Sequence, residues 1–166
     1  MKEVVNNENR MYCSKCGGVC CKTMGGFLHP DDINTFDEET IQKMLDSGKY
    51  SIDWVECDGK IPIDENVYFI RFRHVNAPIV DPSFGGTCVM LGENGCTLPF
   101  DERAYACKVL TPCDDTICTN VYTKDLVAQD WNKPEYQTIL KKFVDELYNP
   151  ESESEIEQIF RILGML

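Results

Sequence analysis

The sequence predicts an α+β fold: a small cysteine-rich core of short strands and helices, followed by a helical C-terminal tail. Three observations predict it. All ten cysteines of the 166-residue chain fall at or before Cys118, and the last 48 residues hold none. The stretch Val67 to Val75 sets Tyr68, Ile70 and Phe72 against Arg71 and Arg73, the two-residue period of a strand. Tyr136, Ile139, Leu140, Phe143, Val144, Leu147 and Tyr148 recur with the 3.6-residue period of a helix.

Taken in order, Asp37 to Gly48 opens with a capping residue and an acidic first turn, carries Ile41, Met44 and Leu45 on one face, and stops on glycine, which predicts a helix. Ser51 to Glu56 shows a weaker alternation like that of Val67 to Val75, giving two strands with one wet face. Thr87 to Leu91 is a third strand candidate. Lys133 to Asn149, with Pro134 at a first-turn position, is the clearest helix, and Ile156, Ile159, Phe160 and Leu163 continue as a shorter one. Glu151 to Glu155 reads as a solvated turn between them. The expected organisation is a cysteine-cluster domain over residues 1–123 with a helical extension, 124–166, packed on it.

Composition narrows the function. A chain of this length suits one domain with a short appendage and excludes two large ones. Its 43% apolar and 10% aromatic residues suffice for a core. A net charge of −12 repels phosphate backbones and anionic lipid, so neither nucleic acid nor a membrane is an expected partner. No apolar run reaches membrane-spanning length. Met1 to Arg10 is polar and lacks the apolar stretch of a secretion signal, so the expected location is cytoplasmic. In that compartment clustered thiols bind metal or do redox chemistry more often than they form disulfides.

Four cysteines fall within nine residues, at Cys13, Cys16, Cys20 and Cys21; five more lie at Cys88, Cys96, Cys107, Cys113 and Cys118, and Cys57 stands alone as an expected inert thiol. Two residues between Cys13 and Cys16 let both thiolates reach one tetrahedral ion, and Gly17 and Gly18 let the backbone wrap round it. Neighbouring side chains diverge by about 100° on a helix, so Cys20 and Cys21 are expected to serve two ions or a polynuclear cluster. Bringing Cys88 to Cys21 closes a loop of about 67 residues, at a cost of about 4 kcal/mol. Structural zinc supplies about 10–16 kcal/mol, more than enough to staple the core.

The run Cys13-Ser-Lys-Cys16-Gly-Gly-Val-Cys20-Cys21 resembles the C-x2-C-x3-C-C signature of the YkgJ-like cysteine-cluster family, described as zinc- or iron-chelating. Asp31-Asp32-Ile33, Gly86-Thr-Cys88, Gly95-Cys96 and Arg103-Ala-Tyr-Ala-Cys107 fit the same pattern, so the resemblance spans roughly residues 11 to 113. It implies that Cys13, Cys16, Cys20, Cys21, Cys88, Cys96 and Cys107 are ligands of zinc or iron, with an iron-sulfur cluster among the forms the metal can take. The chain departs from the family in having Ala104 where proline is usual. Cys113 is an eighth candidate, since seven ligands and one more make two sets of four. Cys113 and Cys118 equally suit a labile thiol pair or plain core residues.

Other chemistries lack their motifs. The zinc-deaminase pattern fails at both His29-Pro-Asp31 and Pro112-Cys113, ferredoxin spacings are absent, and there is no P-loop, G-x-S-x-G or dinucleotide fingerprint. Gly25-Gly26 reads as a merely flexible doublet, His29 and His74 as packed or surface residues, and Arg71 and Arg73 as solvent-facing or as neutralising nearby thiolates. The expected function is metal binding through clustered thiolates, with the metal ion as partner and a protein partner open. The alternatives are a redox carrier or sensor, or a metal-dependent enzyme component. For the last, flagellin lysine methylases, larger proteins with a similar cluster, offer the analogy.

Overall fold

In the computed structural model, which describes residues 17–57, 59–61, 63–82, 85–110, 118 and 121–148, the first regular element is a five-residue helix, α1 (Val19–Thr23). Gly17 and Gly18 enter it at φ 63° and 72°, two consecutive left-handed residues that turn the chain into the helix where a side chain would be strained. A 3-10 turn at Pro30–Asp32 follows, and then α2 (Glu38–Asp46). The Asp37 carboxylate accepts the Thr40 amide proton at 2.8 Å, Ile41 and Leu45 are buried, and Gly48 at φ 71° ends the helix, as the local sequence predicts.

Strands β1 (Tyr50–Val55) and β2 (Val67–Phe72) pair antiparallel, with Tyr50 opposite Phe72 and Val55 opposite Val67. The expected wet face is absent, because both faces and both edges of this hairpin are covered. Phe27 bridges to Arg71 along the free edge of β2, and Val80 bridges to Ile52 along the free edge of β1. Arg71 is 0% exposed. Its Nε donates to Asp53 at 2.8 Å, and its terminal nitrogens donate to the Asp81 carboxylate at 2.6 Å and to the carbonyls of Asp81 and Phe72. Asp53 and Arg71 lie diagonally across the strand pair, so the arginine finds its counter-charge inside the sheet.

The Thr87 to Leu91 strand is also not seen as such. Cys88 makes a single bridge to His74, the chain turns with Leu91 N–H donating to the Cys88 carbonyl, and β3 (Leu91–Gly92) then pairs with β4 (Gly95–Cys96) in a minimal hairpin. A 3-10 turn at Phe100–Glu102 leads into α3 (Tyr105–Lys108).

The C-terminal part holds α4 (Lys124–Trp131) and α5 (Pro134–Leu147). The second matches the predicted helix, while the first was expected only as part of an undivided helical extension. Its apolar residues Val127, Ala128 and Trp131 are fully buried. Trp131 donates its indole proton to the Leu28 carbonyl, and the Gln137 side-chain amide pairs with both the N–H and the carbonyl of Tyr68, as another strand would. Both helices thus share one hydrophobic core with the hairpin and α2. The helix expected around Ile156 to Leu163, and Cys13, Cys16 and Cys113, lie outside the described residues. Among the described residues no helix is long and apolar enough to cross a membrane.

Candidate metal centre

Six cysteines from five chain segments line one cavity of about 180 Å³: Cys20 and Cys21 from α1, Cys88 from the turn before β3, Cys96 from β4, Cys107 from α3, and Cys118. The segments are fixed to one another by backbone hydrogen bonds. Cys88 N–H donates to the Cys21 carbonyl at 2.7 Å, which ties the two halves of the cysteine pattern together. Ala106 N–H donates to the Phe27 carbonyl at 3.1 Å, holding α3 against the chain that leaves α1. Asp32 receives protons from His29 N–H at 3.0 Å and Tyr105 N–H at 2.7 Å, so the acidic segment of the pattern caps the helix that carries Cys107.

The glycine doublet has a specific role here. A Cβ on Gly25 would lie 2.1 Å from the Phe72 carbonyl oxygen, and one on Gly26 equally close to the Cys107 sulfur. Close approach, not flexibility, demands glycine at both positions. Gly25 N–H donates to His74 Nε2 at 2.9 Å, and His74 Nδ1 faces the Asp81 carboxylate at 3.4 Å. His74, 4% exposed, therefore positions the cavity wall through its Nε2 lone pair. His29 accepts the Asp31 amide proton and caps the Pro30–Asp32 turn. Arg71 is held by Asp53 and Asp81, and the cavity's own cation is Arg103.

The Cys20 and Cys21 sulfurs are 4.0 Å apart. The divergence expected of neighbouring helical side chains is not seen at the sulfurs, and both residues line the same cavity. Two thiolates on one tetrahedral zinc, each bonded at about 2.3 Å, stand about 3.8 Å apart, so the pair matches the edge of such a site. Cys20 is held down to about 6, chiefly because the Cys21 thiol hydrogen-bonds its sulfur, with a further contribution from Cys118. Cys21, as that donor and in a buried position, is pushed far up. Burial also raises Cys107 and Cys88, and the neighbouring sulfurs add to the rise at both. The neighbouring sulfurs thus favour the thiolate at Cys20 and oppose it at Cys21, Cys88 and Cys107.

The donor set fits zinc or iron, since among the described residues every ionisable acidic group lining the cavity is a thiol and the remaining wall is mostly apolar, with Phe27, Phe72 and Met90 among its residues. Among the described residues no three side chains already stand in a ready-made coordination arrangement. None of the described cysteines is in a disulfide. Cys57 is exposed and gives its thiol proton to the Ile63 carbonyl at 3.0 Å, away from the cluster. Cys20, Cys21, Cys88, Cys96 and Cys107 are thus brought together. Cys118, left outside the candidate set by spacing alone, joins them. Comparison with protein-family models, with curated proteins and with solved structures returns no match for the chain.

Proposed function

We propose that this protein binds zinc or iron, more than one ion per chain, through a partly buried cluster of cysteine thiolates, and that the bound metal adds to the stability of its fold. The observation that carries the reading is the cavity itself: among the described residues, six cysteines from five chain segments line one space. Free cysteine is often buried singly as a small apolar residue, but inert packing gives no reason to gather six sulfurs on one wall. The resemblance of the Cys13 to Cys21 run to YkgJ-like cysteine-cluster proteins supports the same reading, as does the acidic balance that disfavours nucleic acid. So many cysteines, with no disulfide among the described ones, suit a reducing compartment, so the cytoplasm is the proposed location.

Bound metal supplies the positive charge that lets several neighbouring thiols ionise together. The chain's own part is to hold the sulfurs. Asp32 caps the Cys107 helix, the Cys88 amide is fastened to Cys21, and Gly25 and Gly26 leave room for the chain to pass. Elemental analysis of anaerobically purified protein is expected to find more than one zinc or iron per chain, and chelation is expected to lower the unfolding temperature. A metal content near zero overturns the proposal. Brown colour with visible absorption assigns an iron-sulfur centre; colourless protein containing zinc assigns thiolate zinc sites.

A further inference from the structure

We infer that His74 is a positioning residue for metal binding: it is not a ligand, and from behind the cavity wall it fastens the segment that carries Cys20 and Cys21 to the one that carries Cys88. The inference rests on the metal-binding reading and goes beyond it to a residue outside the cysteine set. His74 is buried and is not among the residues that line the thiol cavity; with Asp53 and Arg71 it lines a second cavity of about 220 Å³. Its main chain bridges to Cys88, flanked by Val75 N–H donating to the Thr87 carbonyl at 2.7 Å and Val89 N–H donating to the Arg73 carbonyl at 2.9 Å. Its side chain reaches the other segment. There Nε2 accepts the Gly25 amide proton at 2.9 Å, two residues after α1 ends. A backbone amide only donates, so Nε2 supplies the lone pair, and the proton of the neutral ring sits on Nδ1, which faces the Asp81 carboxylate at 3.4 Å. Both nitrogens are thereby engaged, and the metal-ligand role common for histidine beside cysteines is closed to this one.

The surroundings are shaped to this ring. A Cβ on Gly86 would lie 2.7–2.9 Å from three atoms of His74, so the glycine that precedes Thr87 and Cys88 gives the imidazole its place. Gly25 itself lines the thiol cavity, and its bond to His74 is buried. Removing the acceptor leaves a buried amide unsatisfied and unties the chain leaving α1 from the Cys88 segment. Asp81 also accepts from Arg71 at 2.6 Å, so one imidazole joins the buried charge network to the thiol wall.

The test titrates cobalt(II), a spectroscopically visible substitute for zinc, anaerobically into the reduced full-length chain after its resident metal has been removed. His74→Leu offers Gly25 no acceptor and is expected to weaken cobalt binding at least about tenfold, while the cobalt bound at saturation and its visible spectrum stay those of the wild type. His74→Gln, whose side-chain oxygen reaches the place of Nε2, should restore most of the affinity. Wild-type affinity in His74→Leu overturns the inference, as does a glutamine variant no better than the leucine one. A saturated spectrum shifted in both variants, the mark of a lost nitrogen ligand, overturns it too. Should His74→Leu not fold, as judged by circular dichroism, the imidazole itself decides. In wild type loaded with a spin-active cadmium isotope, nitrogen NMR should find the His74 proton on Nδ1 and no coupling of the ring to cadmium; a proton on Nε2, or coupling at either nitrogen, overturns the inference. A wild-type chain that binds no metal refutes the metal-binding reading itself. Metal binding that is indifferent to His74 refutes this inference alone.

Discussion

The sulfur of Cys107 stands where a side chain on Gly26 would begin, 2.1 Å from an ideal Cβ. Neither partner is free to retreat. Gly26 accepts the Phe72 amide proton at 3.0 Å, and the helix bearing Cys107 is fastened to Phe27 through Ala106 N–H and to Asp32 through Tyr105 N–H. The thiol cavity thus depends on a residue with no side chain as much as on its cysteines.

Gly26→Ala is expected to cost about 1–3 kcal/mol by overpacking and to weaken metal binding, because the displaced atom is a sulfur of the proposed metal centre. Gly48→Ala is the control. Its site opens onto empty space, so it should cost about 1–2 kcal/mol from its left-handed backbone alone and leave metal affinity unchanged. Urea unfolding and competition with a chromophoric chelator measure both quantities. Wild-type metal affinity in Gly26→Ala would contradict the close approach.

Removing Arg71 should be far worse than removing one of its partners. Arg71→Ala leaves Asp53 and Asp81 buried without their cation, a loss of about 3–5 kcal/mol, whereas Asp53→Asn leaves the Arg71 to Asp81 pair intact and should cost less. Equal losses in urea unfolding would count against this account of the network.

The same network has a pH signature. Burial raises the Asp53 carboxyl above its usual value in spite of Arg71. A carboxyl raised on folding binds its proton more tightly in the folded state than in the unfolded one. Its stabilising contribution is complete below the usual value of 3.8 and fades as pH rises through the folded value. Wild type should therefore gain stability relative to Asp53→Asn as the pH falls from neutral. A difference between the two that stays constant with pH would exclude the effect.

Cys20 should be the first cluster thiol to be alkylated. With its thiolate held near 6 while Cys21, Cys88 and Cys107 are pushed up, iodoacetamide at neutral pH should label Cys20 ahead of those three in metal-free, reduced protein. Its rate should fall as the pH drops through about 6, and Cys21→Ala should slow it at neutral pH by removing the hydrogen-bond donor. Peptide mass spectrometry reads the order of labelling. Equal rates at all four positions would refute it.

Much of the local structure is written locally. Asp37 and Gly48 bracket α2 because a cap and a left-handed stop act within a turn of the helix they bound. Pro134 and the apolar stripe of α5 do the same over a longer span. The short α4 has only Val127, Ala128 and Trp131 to mark it, too few residues for a period to emerge. Alternation correctly places β2, yet it distinguishes two faces without saying what covers either. Arg71 therefore reads as a wet residue although Asp53 and Asp81 enclose it.

The α+β class, the main helices and strands and the two cysteine groups were legible in the order of residues alone, because caps, periods and chelate spacings act between residues close in the chain. That Cys20, Cys21, Cys88, Cys96, Cys107 and Cys118 share a cavity, that Gly25 and Gly26 are there for want of space, and that Arg71 is buried emerge from the folded chain. Those relationships join atoms far apart in the chain. They follow from which backbones pair and which faces are covered, and a one-dimensional pattern carries no record of either.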